Sequence, residues 1–288
     1  MKRAFLFASC VVFGLASAAC GSGGGAAPDP GFQTEDAETV DLDNLEIRAS
    51  GRVEVFPEAA SLLQSQGQPP PSVEGLTVVV EEPLRASVND GDATFGTGTS
   101  DTEGAFGVGG IAVREIHQSL AVRPEAAGLV RASTVIYDSA FTGARPRTDL
   151  IETRAWLVPL PFHDALTVAL GEARLRGLTD DQASTLSGAG FVLGRVVDEN
   201  GAPVTGARVV PEREELAGRV FYPSRDLASV SEGGTAEGGL FVYVHSGGAA
   251  ESFRLGVEGV EGYVSRNVDI APGWGLVLMM YPGRHPPP

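Results

Sequence analysis

Cysteine is nearly absent from this chain. Only Cys10 and Cys20 occur among its 288 residues, both within the first twenty positions, so no disulfide can staple a domain core. Aromatic residues make up 7%, and tryptophan is limited to Trp156 and Trp274. That is too few for a platform that stacks on sugar rings, and each reads as a core or edge aromatic. Basic residues are scarce: 21 Lys and Arg face 37 Asp and Glu, a net charge of −16. A surface of that sign repels phosphate backbones, which excludes nucleic acid as a partner. Catalytic motifs are missing as well. No G-x-S-x-G elbow occurs, and the glycine-rich FGVGGIA (106–112) lacks the helix and lysine of a phosphate-cradling loop. His117, His163, His245 and His285 are scattered with no second ligand at a metal-binding interval, so each reads as structural; His163, beside Asp164, is the least bland. Asn89, Asp90 and Asp92 ring a glycine turn but supply too few oxygens for calcium, which leaves a solvated loop. Glu212, Glu214 and Glu215 are plentiful carboxylates, yet a glycosidase pair is defined by distance in space. No catalytic residue, cofactor or metal ligand is assigned.

What is present is apolar residues at 43%, enough for a packed core, with 38 Gly and 19 Pro. Such punctuation favours short strands joined by turns over a helical bundle. The first segment, MKRAFLFASCVVFGLASAAC, has Lys2 and Arg3 ahead of an apolar stretch from Ala4 to Leu15. That stretch is too short to remain as a spanning helix, and the whole reads as a targeting segment. Small residues lead to Cys20, and GSGGGAAPDPG follows as a flexible tether. Glu35, Asp36, Glu38, Asp41, Asp43 and Glu46 keep the next stretch solvated.

From Leu45 the texture is that of short strands. Ile47, Ala49, Val53 and Val55 nearly alternate, and runs at 73–83, 93–99, 104–111, 117–124 and 128–139 are each bounded by Gly, Pro, Asn or Asp. The pattern recurs from residue 190. Gly51-Arg52-Val53 answers Gly194-Arg195-Val196. Gly75-Leu76-Thr77-Val78-Val79 answers Gly206-Ala207-Arg208-Val209-Val210. Ser100-Asp101-Thr102-Glu103-Gly104-Ala105-Phe106 answers Thr235-Ala236-Glu237-Gly238-Gly239-Leu240-Phe241. In the second copy Asn200-Gly201 sits where a hairpin turn needs positive φ, and Pro203 restricts its exit. The first copy stretches the same hairpin with PEAASLLQSQGQPPPSVEG (57–75), read as a projecting loop or an edge guard.

Two resemblances follow. The N-terminal segment resembles a bacterial lipoprotein signal, which implies cleavage before Cys20, acylation of its thiol and, because Gly21 follows, sorting to the outer membrane. Ser17 stands where that family usually has Leu, and ordinary secretory cleavage after Ala18 is the alternative, giving a secreted or periplasmic protein. The order G-R-V, turn, G-A-x-V, then T-D-x-x-G-x-F resembles the carboxypeptidase regulatory-like domain. That implies a transthyretin-like Greek-key sandwich of about seven strands, present in tandem. Ala236 departs from this pattern where Asp is usual.

Between the copies, DALTVALGEARLRGLTDDQASTLSGAG (164–190) takes helical spacing. Asp164 is the expected cap, Gly177 the end of a first helix, Thr179 the start of a capping box, and Gly188 the stop of a second short helix. The expected organisation is a signal at 1–19, a tether at 20–44, a sandwich at 45–160, a helical connector at 161–189, a second sandwich at 190–283 and a Pro-rich tail at 284–288. The fold class is all-β. The expected role is that of a non-enzymatic envelope protein held to the membrane by its lipid and acting in display or adhesion. A carbohydrate-binding module and an accessory subunit of an envelope complex are the alternatives. A protein or glycan of the envelope is the expected partner.

Overall fold

The computed structural model describes residues 41–283, 286 and 287, apart from 89, 90, 92 and 143. Cys10, Cys20, Asn89, Asp90, Asp92 and His285 lie outside the described residues, as do the signal and most of the tether.

The first half carries seven strands: β1 (Glu46–Val55), β2 (Thr77–Glu81), β3 (Thr94–Thr99), β4 (Ala105–Ala112), β5 (Ser119–Glu125), β6 (Ala132–Asp138) and β7 (Leu150–Leu157). Short helices interrupt them, α1 (Pro57–Ser65), α2 (Pro83–Ser87) and α3 (Ser139–Thr142). A helical stretch follows, α4 (Leu160–Leu170), α5 (Glu172–Leu178) and α6 (Leu186–Ala189). The second half holds β8 (Phe191–Val196), β9 (Arg208–Pro211), β10 (Val220–Pro223), β11 (Val230–Ser231), β12 (Leu240–Val244), β13 (Glu251–Glu258), β14 (Arg266–Ile270) and β15 (Gly275–Met280). Strands build every layer and the helices are short, so the fold is all-β.

The halves repeat one connectivity. In the first, β1 lies between antiparallel β4 and parallel β7; in the second, β8 lies between antiparallel β12 and parallel β15. The facing layers are β2-β5-β6 and β9-β13-β14, all antiparallel. The register agrees to the residue, with Gly51 opposite Phe106 and Gly194 opposite Phe241. The Ser100 hydroxyl accepts from Leu76 N at 3.0 Å and donates to Val73 O at 2.6 Å. The Thr235 hydroxyl does the same between Ala207 N (3.0 Å) and Val204 O (2.6 Å). Gly104 and Gly239 both take positive φ, +78° and +67°, and a Cβ at either would fall on the carbonyl of Val53 or Val196. Only glycine fits such a corner. The halves differ between their second and fourth elements, where the second half also adds the two-residue β11 beside β10. β3 pairs with β2 and lies against β4, whereas β10 pairs with β12 and reaches β9 through the Tyr222 hydroxyl, bonded to both N and O of Val209.

The opening hairpin of the second half turns differently from expectation. Gly201 has φ +78° while Asn200 keeps ordinary negative φ. The Asp198 carboxylate accepts from Asn200 N and Ala202 N at 2.8 and 2.9 Å and shapes the bend. Asp101 holds the first half's β3–β4 turn identically, through Glu103 N and Ala105 N. An Asp side chain that mimics backbone is the physical cause in both.

The halves also share a sheet. β15 pairs in parallel with β6, Gly275–Val277 against Ala132–Thr134. The layer β2-β5-β6 of the first half thereby continues into β15-β8-β12 of the second, and a nine-stranded sheet crosses the molecule. Val40–Pro288 cluster as one compact unit. Each half encloses its own sandwich core, around Phe106, Ile111 and Leu120 in the first and Phe241, Phe253 and Leu278 in the second. A third core lies between them, where Phe162, Leu166 and Leu170 of α4 meet Phe56, Trp156, Phe191 and Val242. β8 therefore buries both faces, Val192 and Val196 on one and Phe191 and Leu193 on the other.

Five local expectations change. Residues 57–65 form α1 with Ala59 buried in the third core and Leu62 packed against it, so this part of the insert packs inward; residues 64–70 are exposed. Helix α4 begins at Leu160, with Pro159 as its N-cap, before the expected cap Asp164; Pro161 sits in the first turn, where proline's fixed φ suits the helix. It ends at Gly171, φ +86°, ahead of Gly177. Thr179 closes α5, its hydroxyl bonded to Leu175 O and Ala183 N; the N-cap of the last short helix is Thr185, and that helix runs through Gly188 to stop at Gly190.

Candidate functional site

The described histidines His117, His163 and His245 each bond to groups of the fold. His163 is buried, with Nδ1 3.0 Å from Asp164 Oδ1 and Nε2 accepting from Ser187 N at 3.0 Å, which ties α4 to α6. His245 is fully buried, its ring nitrogens 3.0 and 2.9 Å from the carbonyls of Ala189 and Ala249. Beside it the Tyr243 hydroxyl donates to Glu251 Oε2 at 2.6 Å, and burial followed by that bond pushes the phenol far above its ordinary range. Trp156 and Trp274 are core residues. Ser133, wholly buried, donates to Glu81 and accepts from Trp274 Nε1 at 3.0 Å, so its hydroxyl is fully committed. Of the carboxylates singled out in the sequence, Glu215 takes the Arg213 guanidinium at 2.8 Å on the exposed surface. Among the described residues, no group of three or more His, Cys, Asp or Glu side chains is placed to hold a metal.

Polar chemistry concentrates at the seam between the halves. Asp138, at the end of β6, is 3% exposed. Its carboxylate accepts from Ala140 N (2.8 Å), Asn267 N (2.8 Å) and Asn267 Nδ2 (2.7 Å). It stands where another strand would pair with the outer edge of β14 and satisfies that edge from the first half. Burial outweighs these bonds and raises the Asp138 carboxyl above the usual range. Glu82, the residue before α2, is fully buried; it accepts from His117 N at 2.6 Å and Gln118 N at 3.0 Å and meets His117 Nδ1 at 2.8 Å. Helix α2 packs against β14 and sends Ala86 toward the second sandwich core. Along β14, Val268 and Ile270 face that core, which puts Asn267 and Asp269 on the seam side.

Asp269 is 1% exposed, and neither carboxylate oxygen has a hydrogen-bond partner among the described residues. Burial pushes its carboxyl up to about 6, with Glu82 and Asp138 adding to the rise. The Ser252 hydroxyl, opposite on β13, offsets part of this from outside hydrogen-bond geometry. Arg266 acts instead on Asp138; it is stacked 4.2 Å over the Tyr281 ring and buried enough to hold its guanidinium below the ordinary value. Elsewhere at the junction, Glu58 of α1 reaches Arg195 of β8 at 3.2 Å, both nearly buried. Burial raises the Glu58 carboxyl, Arg195 opposes the rise, and Oε2 stays without a partner among the described residues.

A cavity of about 300 Å³ opens beside the seam, lined by Gln118 and Ser139 of the first half and Glu212, Ser252, Arg254 and Asn267 of the second. Amides, hydroxyls, one acid and one guanidinium could hydrogen-bond a small polar molecule; no nucleophile with an adjacent base lies among them. The sequence carried no signal for this site. Asn267 and Asp269 alternate with apolar neighbours just as solvent-facing residues do, and only the fold puts a second half over them.

No protein-family model matches the chain, and no curated protein matches it. Among solved structures, the shaft pilin spaA of Lactobacillus rhamnosus GG aligns at 11% identity over 84% of this chain and 100% of that one, with a TM-score of 0.22. The minor pilin GBS52 of Streptococcus agalactiae aligns at 12% identity over 84% and 98%, with a TM-score of 0.23. The Bacillus anthracis TIE protein aligns at 10% identity over 82% of this chain and 34% of its own length, with a TM-score of 0.22. Likeness at this level carries no argument about fold or function.

Proposed function

We propose that this chain is a non-enzymatic scaffold of the cell envelope, two transthyretin-like sandwiches of carboxypeptidase regulatory-like type, at 45–160 and 190–283, held to the membrane by a lipid on Cys20. The observation that carries the scaffold reading is the repeated lattice: the Ser100 and Thr235 hydroxyls bridge corresponding backbone groups, and the copies are then fused through β6 and β15. A module built twice and welded edge to edge is suited to holding surface loops at a fixed distance from an anchor, in display or adhesion. The anchor reading rests on the sequence around Cys20. Mass spectrometry of the mature N-terminus, with membrane fractionation, tests it. A diacylated Cys20 in the outer-membrane fraction supports the proposal, and an unmodified Ala19 in the soluble fraction overturns it.

A glycan-binding role is the second reading, favoured by the polar cavity at the seam. Retention on peptidoglycan, lipopolysaccharide or glucan columns that is lost in Arg254→Ala supports it; no retention on any of them removes it.

A further inference from the structure

We propose that the seam between the halves is a proton-operated clasp: neutral Asp269 lets β14 sit closed against α2 and Asp138, and ionised Asp269 adds an uncompensated buried charge that loosens it. The geometry supplies the parts. Asp269 is enclosed with both oxygens unpartnered among the described residues. Glu82 and Asp138, also buried, already use their oxygens on backbone and amide N–H groups, so neither can donate to it as a carboxylate. The elements packed against β14 carry these other charged and titratable groups: Arg85 on α2; Glu251, Arg254 and Glu258 on β13, the last facing Arg208 at 3.8 Å; Arg266 on β14 itself; Tyr281 just past β15; and Arg195 on β8, already engaged by Glu58. His117 sits on Glu82. Arg254 Nε is bonded to Asn267 Oδ1 at 3.2 Å, and Arg266 lies over Tyr281. A carboxylate left unpaired in such a place costs more than a carboxylic acid.

The sign follows from the raised carboxyl, held at about 6 in the closed seam against an ordinary 3.8. The closed state binds the proton more tightly than the open one, so closure is favoured at low pH and weakens as pH rises through 6. The opening equilibrium grows about tenfold between pH 5 and pH 7.5. Hydrogen exchange of the intact protein, read at residues 266–270 and corrected for the intrinsic pH dependence of exchange, tests this. We expect the tenfold rise in wild type, its loss in Asp269→Asn, and no such rise in β1. A flat profile in wild type, or the same rise in Asp269→Asn, overturns the clasp. Should Asp269→Asn fail to fold, carbon NMR titration of the wild-type Asp269 carboxyl decides: a midpoint near 6 supports the clasp, and one at or below 4 overturns it.

Discussion

If the two halves repeat one lattice, their bridging hydroxyls must be worth the same. Ser100→Ala and Thr235→Val remove them one at a time. Each hydroxyl holds two backbone groups, an N–H at 3.0 Å and a C=O at 2.6 Å, with the residues 4% and 3% exposed. Removal leaves a donor and an acceptor with no side-chain partner at a buried corner. An unsatisfied buried group costs about 1–3 kcal/mol, and the carbonyl, with its second lone pair, sits at the low end. Each variant should therefore lose about 2–4 kcal/mol. Urea unfolding followed by tryptophan fluorescence gives the difference at unchanged slope. The double variant should lose the sum, because the sites lie in different cores and share no partner. A loss below about 0.5 kcal/mol in one half beside a full loss in the other would refute the claim that both corners do the same physical work.

Other outcomes follow from the same structure. Gly194→Ala puts a Cβ 2.2 Å from the Phe241 ring and 2.5 Å from the Leu278 carbonyl oxygen; it should cost about 3 kcal/mol, measured by thermal unfolding. Arg195→Met leaves Glu58 buried without its cation and should cost about 3–5 kcal/mol, part of which Glu58→Gln restores in the double variant, measured as a double-mutant cycle. Asp269→Asn should be more stable than wild type at pH 7.5 by up to about 3 kcal/mol, an advantage that fades below pH 6 and is gone about a unit below the ordinary 3.8, measured by urea unfolding across that range.

Much of the first layer was legible. Ile47, Ala49 and Val53 alternate because one face of β1 is buried, and the glycine corners at 104 and 239 announce their turns. β15 was not legible: GLVLMM is apolar on both faces because it lies between β6 and β8, and a continuous run has no period of two. β7 was hidden for a different cause. Ile151 and Glu152 are exposed and Glu152 takes φ +55°, so its outer end reads as loop. The seam could not be read at all. Asp138 and Asn267 stand 129 positions apart in the chain and have meaning only as a pair. Glu58 lay in a stretch whose prolines suggested a projecting loop, while its partner Arg195 was part of the repeat motif.

The central claim is that two repeated sandwiches are welded into a single cooperative body. Differential scanning calorimetry of the chain from residue 40 onward tests it most directly, since Val40–Pro288 form the compact unit. The account requires one endotherm whose calorimetric and van't Hoff enthalpies agree, with Arg195→Met shifting it as a whole. Two separable transitions, with only the later-melting half surviving between them, would contradict it.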